Sequence, residues 1–189
     1  PDYEDKKDYT VVIQVTDSKG LSSEPKYMSL TVNNLNERKI YKDTSKTFNT
    51  ALKKYRNGDY YAAIRGFQEV IRFEPNCHTC FYNIGLSRFY LKQYQAAILS
   101  FNKTIKLKSD YLPAFKMRGQ SKVETKNYIS AIKDFNYLIS LNNKDISALN
   151  FRGYSYLMLE KPSSYCRDFR STAFLGDKYG KENYQKFCE

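Results

Sequence analysis

Gly58–Asn76 reads GDYYAAIRGFQEVIRFEPN, and its pattern returns as KQYQAAILSFNKTIKLKSD over Lys92–Asp110 and KNYISAIKDFNYLISLNNK over Lys126–Lys144. The copies open at Gly58, Lys92 and Lys126, so the spacing between them is constant. Ala63, Ala97 and Ala131 fall in one column, and Phe67, Phe101, Phe135 and Phe169 in another. Upstream, Ala51, Gly85, Gly119 and Gly153 form a third. A fixed period of this length means stacked supersecondary units rather than one irregular core. The apolar spacing inside each copy is helical, with Ala and Phe one turn apart on one face. Small residues in the upstream column let the first helix of a unit lie close to its second, and the aromatic fills the gap to the next unit. Tyr60, Tyr94 and Tyr128 are expected to open the second helices after short turns.

These columns resemble the tetratricopeptide repeat, a helix–turn–helix unit of about 34 residues. The resemblance implies a mainly α chain, an α-solenoid, with units at 44–77, 78–111, 112–145 and 146–179. The first-helix aromatic column reads Thr47, Phe81, Phe115 and Leu149, and only Pro75 keeps the unit-ending proline. In the fourth unit Tyr165 replaces the small alanine, while Pro162 sits where a second helix begins and a missing N–H is tolerated. Beyond it, Gly176 suits a helix end, and a capping helix is expected from about residue 178, with 180–189 as its remainder.

The first 37 residues are of another kind. YTVVIQVTD (Tyr9–Asp17) and KYMSLTVNN (Lys26–Asn34) alternate like strands around turn chemistry at Gly20 and Pro25. With Asp2, Tyr3, Glu4, the run YTVVIQVTDSKGLSS and the closing Asn34–Glu37, this stretch resembles the C-terminal half of a cadherin-like repeat. The resemblance implies a partial β-sandwich over 1–37, a linker over 38–43 and Ca²⁺ as the one cofactor, with Asp2, Glu4, Asn36 and Glu37 as oxygen ligands. Asn34 and Tyr3 depart from that family's usual Asp and Arg.

Charge follows the same division. Residues 1–37 hold four Lys and seven Asp/Glu, a charge of −3, leaving +14 to the rest of a chain whose net charge is +11. The basic residues are scattered, with no run of five like charges, so they read as solvated helix faces rather than a nucleic-acid surface. No apolar run is long enough to span a bilayer. The chain opens at Pro1 on a polar stretch, as a fragment or processed form would, and carries no targeting signal of its own.

Nothing in the chain resembles an enzyme active site. There is no phosphate-binding loop and no nucleophile–base set, and Asp134 reads as a solvated helix-face carboxylate. Residues 77–80 read CHTC and hold the only histidine, His78. Zinc requires four N/S ligands, and the remaining cysteines, Cys166 and Cys188, lie more than two units away. Cys77 and Cys80 read as two thiols in a turn between repeats, with a local disulfide and a redox pair as the alternatives. Cys166 and Cys188 stand nearly equidistant from the bend at Gly176–Asp177, which places them side by side across a helical hairpin as a disulfide. An oxidised pair and the cadherin-like segment both point to an extracellular, cell-surface or periplasmic location.

The functional expectation is a protein–protein interaction scaffold. A superhelix of helix pairs has a concave face lined by first helices, which takes a peptide or partner helix. In this register the lining is Phe48, Leu52 and Tyr55, then Tyr82, Asn83, Leu86 and Phe89, then Lys116, Gln120 and Val123, then Asn150, Tyr154 and Leu157. A Ca²⁺-dependent adhesion protein with the repeats as an appended spacer is the other reading. The Lys/Asn/Arg clamp with which some repeat proteins grip a carboxyl terminus is matched only at Asn83.

Overall fold

The computed structural model describes residues 34–189, with side chains from Thr44 onward. Thr44–Glu189 forms one compact unit. Among the described residues the elements are nine helices: α1 Asn34–Arg56, α2 Tyr60–Phe73, α3 His78–Tyr90, α4 Tyr94–Leu107, α5 Leu112–Glu124, α6 Tyr128–Leu141, α7 Ile146–Met158, α8 Pro162–Phe174 and α9 Lys178–Cys188. The strands expected before Asn34, with Asp2 and Glu4, lie outside the described residues. The linker expected over 38–43 is instead helical, since α1 runs through it and takes in Asn36 and Glu37. The physical reason is local: from Leu35 to Asn57 there is neither Gly nor Pro to stop a helix.

From α2 onward each helix packs on its sequential neighbour, ending with α8 on α9. The repeat columns explain how. Phe67, Phe101, Phe135 and Phe169 are all fully buried, as are Ala63, Ala97 and Ala131. A Cβ added at Gly85 would stand 2.5 Å from the Phe101 ring, and at Gly119 2.8 Å from Phe135, so glycine sets the helix separation there. In the first unit the device is reversed. Ala51 occupies the glycine column, and Gly66, across from it, makes the room.

The turns inside the units also repeat. Gly58, Lys92, Lys126 and Glu160 all have positive φ, the left-handed residue that closes a first helix. The following N–H then reaches back over the closed turn, for example Gln93 N–H to the Arg88 carbonyl at 2.8 Å. Among the described residues, side-chain N-caps come from Asp59, Cys77, Asn127, Asp145 and Asp177.

Helix α9 starts two residues earlier than the repeat spacing requires. Asp177 stands as its N-cap, where the preceding units use Cys77, Tyr111 and Asp145. Three residues beyond those caps, Cys80, Ala114 and Ala148 are fully buried, and Gly180 takes the same place against Thr172. A disulfide joins Cys166 to Cys188 with Cα atoms 5.6 Å apart, tying α8 to α9.

Asp134 is not solvated as the sequence alone suggests. It is 4% exposed and bonded by Arg118 and Lys122, at 2.6 Å and 2.8 Å. One repeat on, Asp168 is equally buried and bonded by Arg152. Burial alone would lower the Arg152 guanidinium, but the hydrogen bond and charge of Asp168 outweigh it and raise it. A buried serine row, Ser87, Ser121 and Ser155, runs alongside, each hydroxyl donating to the carbonyl one turn back.

Candidate functional site

The first helices of successive units also approach one another, α3 to α5 and α5 to α7. This closeness makes them the inner row of the stack, the wall on which a concave surface forms. Along this row the sequence-derived groove residues divide into three groups.

At the first units they are half core. Phe48, Leu52 and Tyr55 pack on the cluster of Ala63, Phe67 and Ile84. Tyr82, Leu86 and Phe89 pack on Ala97, Phe101 and Ala114. Here aromatic rings meet in chains: Tyr60 stacks on Tyr90 at 5.3 Å, Tyr55 sits 6.1 Å from Tyr90, and Tyr82 meets Tyr111 edge-on at 5.1 Å. Burial, with neighbouring Tyr111 and Tyr90, pushes the Tyr82 hydroxyl up to about 12. Tyr55 is raised further, first by burial and then by the charge and hydrogen bond of Tyr90. Asn83 is half-buried, its amide donating to the Thr79 carbonyl of the same helix at 2.8 Å.

Lys116, Gln120 and Leu157 are half-buried residues of the same row. The third group comes together: Val123, Asn150 and Tyr154 line an open cleft of about 780 Å³. Its walls are the end of α5 and the turn to α6 (Val123, Lys126, Tyr128), the first half of α7 (Ile146, Phe151) and the capping segment (Asp177, Tyr179). The volume is that of an ordinary ligand cleft. The early start of α9 supplies the last wall, a feature that the repeat frame alone does not show.

Electrostatics at this wall are asymmetric. Asp177 accepts from the Gly180 N–H at 2.7 Å and from the Asn150 amide at 2.8 Å. Because a carboxylate only accepts, the Asn150 amide nitrogen must face it, and its carbonyl Oδ1 is buried with no hydrogen-bond partner. Such an acceptor costs about 1–3 kcal/mol while unmet. Burial, then the nearby Tyr154, raise the Tyr179 hydroxyl.

The cysteines of CHTC are not free thiols. Cys77 and Cys80 are joined, with Cα atoms 5.3 Å apart, because the N-cap and third residue of one helix face each other across its first turn. Among the described residues no group of three His, Cys, Asp or Glu side chains could hold a metal ion. No described helix is long and apolar enough to cross a membrane.

No protein-family model and no curated protein matches the chain. Solved structures do match. MamA 41-end from Desulfovibrio magneticus RS-1 superposes with a TM-score of 0.70 at 23% identity, covering 76% of this chain and 85% of that one. The fold is a tetratricopeptide-repeat solenoid. A tetratricopeptide-repeat protein from Parabacteroides merdae matches with a TM-score of 0.71 at 18% identity, over 76% of this chain and 58% of that one. The first such domain of Spaghetti (RPAP3), solved bound to the HSP90 peptide SRMEEVD, matches with a TM-score of 0.59 at 20% identity, over 62% and 93%.

Proposed function

We propose that this solenoid is a protein-interaction scaffold that takes an extended peptide segment of a partner protein in the cleft between α5, α7 and the cap. The observation that carries the reading is the cleft itself, open, about 780 Å³ and walled by Val123, Phe151 and Tyr154 of the inner row and by Tyr179 of the cap. Rings of this kind offer contact area at low entropy cost. The peptide-bound structure of the RPAP3 domain supports the mode, since there a domain of this fold holds a short peptide.

Selection of decapeptides from a random displayed library against the full chain tests the proposal. Selected peptides should bind Tyr154→Ala at least about tenfold more weakly, the loss of one aromatic anchor. They should bind a control variant of exposed Leu99 on α4 as they bind the wild type. Peptides whose affinity follows Leu99 and ignores Tyr154 would remove the cleft as the site.

A further inference from the structure

The two disulfides stand in unlike surroundings, and we infer that Cys77–Cys80 is a site of thiol–disulfide exchange while Cys166–Cys188 is structural. Cys77 is the N-cap of α3 and half-buried, whereas Cys80 is fully buried in the small-residue column shared with Ala114 and Ala148. The Cys77 sulfur accepts from the Cys80 N–H at 3.2 Å and from the Thr79 hydroxyl at 3.4 Å. These donors and the positive end of the helix dipole are aimed at the Cys77 sulfur, which carries negative charge when it leaves the mixed disulfide in the second exchange. The other bridge lacks this arrangement. Cys166 lies inside α8, and Cys188 ends α9, where the dipole disfavours an anion.

The asymmetry sets the order of events. A thiolate of an incoming dithiol attacks the reachable Cys77 sulfur; the S–S bond breaks, and Cys80 leaves as a thiolate that takes a proton from solvent. The second thiol of the reagent, deprotonated, attacks its own sulfur in the mixed disulfide, and Cys77 leaves as the thiolate held by Cys80 N–H and Thr79. The reagent has become a cyclic disulfide, and the pair has gained two electrons and two protons, the second proton taken up when Cys77 protonates. Run backwards, the oxidised pair is restored at the expense of a disulfide.

The test uses the full chain in graded mixtures of reduced and oxidised dithiothreitol, alkylated and mapped by mass spectrometry. Cys77 and Cys80 should become reduced together at a reduced-to-oxidised ratio at least about tenfold lower than Cys166 and Cys188 require. Reduction of Cys166–Cys188 at the same or a lower ratio overturns the inference. Single-cysteine reactivity gives a second readout. In Cys80→Ala, which places in α3 the residue that α5 and α7 already carry there, oxidised glutathione should capture Cys77. In Cys77→Ser, Cys80 should be captured at least about tenfold more slowly. Equal capture of the two would also overturn it.

Discussion

Arg118 and Asp134 meet in two parallel hydrogen bonds, Nε to Oδ2 at 3.0 Å and Nη2 to Oδ1 at 2.6 Å. One repeat on, Arg152 makes the same grip on Asp168 at 2.8 and 2.7 Å. Each guanidinium also donates Nη1 to an asparagine of the preceding unit, Asn102 or Asn136. The pair therefore joins the two helices of its own unit and that unit to its neighbour. Removing the acceptor leaves Arg118 and Lys122 with buried positive charge and no counter-ion. Asp134→Ala is expected to cost about 3–5 kcal/mol in urea unfolding. Replacing Arg118, Lys122 and Asp134 together by apolar residues should cost much less, because no charge is then stranded.

The glycine column predicts a steric penalty. Gly119→Ala places a Cβ 2.8 Å from Phe135, a fully buried ring with no open side to move into. A loss of about 1–3 kcal/mol in unfolding free energy is expected. A change no larger than that of an ordinary surface substitution would mean that α5 and α6 can separate more easily than the nested rings imply.

Lys92 predicts a gain. Its φ of 59° is the left-handed conformation that the first unit assigns to Gly58. Lys92→Gly should stabilise the fold by roughly 0.5–1 kcal/mol, because the side chain's clash with the backbone disappears. A lower melting temperature for Lys92→Gly would contradict this account of the turn.

The tyrosine chain predicts alkaline sensitivity. Tyr82 is raised to about 12 in the fold, against about 10 in an unfolded chain. The folded state thus holds its proton more tightly, so this contribution to stability is complete below about pH 10 and fades as the pH climbs towards 12. Ultraviolet titration of phenolate should show a late-ionising fraction that shrinks in Tyr82→Phe. A titration curve identical in the two proteins would place Tyr82 in water.

The C-terminal bridge predicts a loss of stability with a specific origin. Cys166 and Cys188 close a loop with a sequence separation of 22. Cys188→Ser should cost about 3 kcal/mol, mostly by freeing the unfolded chain. Loss of α9 packing alone, measured by faster amide exchange there with unchanged global stability, would show the cap to be an independent unit.

Much of this molecule was legible in its sequence for a local reason. A strict period in Ala, Gly and Phe needs no distant information, since each helix pair repeats the contact that its neighbours make. The arginine–aspartate ladder was written with the same period, yet Asp134 read as solvent-facing. A carboxylate on a helix looks alike whether water or Arg118 stands opposite. The CHTC stretch was open between thiols and a disulfide because a bond between its sulfurs depends on whether Cys77 ends outside the helix as its cap. The groove residues were chosen by their spacing along the first helices, but spacing does not tell which of them pack on neighbouring rings, as Tyr82 does on Phe101 and Tyr111.

The sequence by itself determined the repeating helical hairpins, their small and aromatic columns and the positions at which chains turn, because these are properties of residues one helical turn or one whole repeat apart along a single chain. Tertiary structure decided what stands opposite what: the buried ion pairs, the unequal surroundings of the two bridges, and a cleft closed by a cap that begins early. Burial and partnership depend on how nearly neighbouring helices approach, and that distance is set jointly by side chains on both of them.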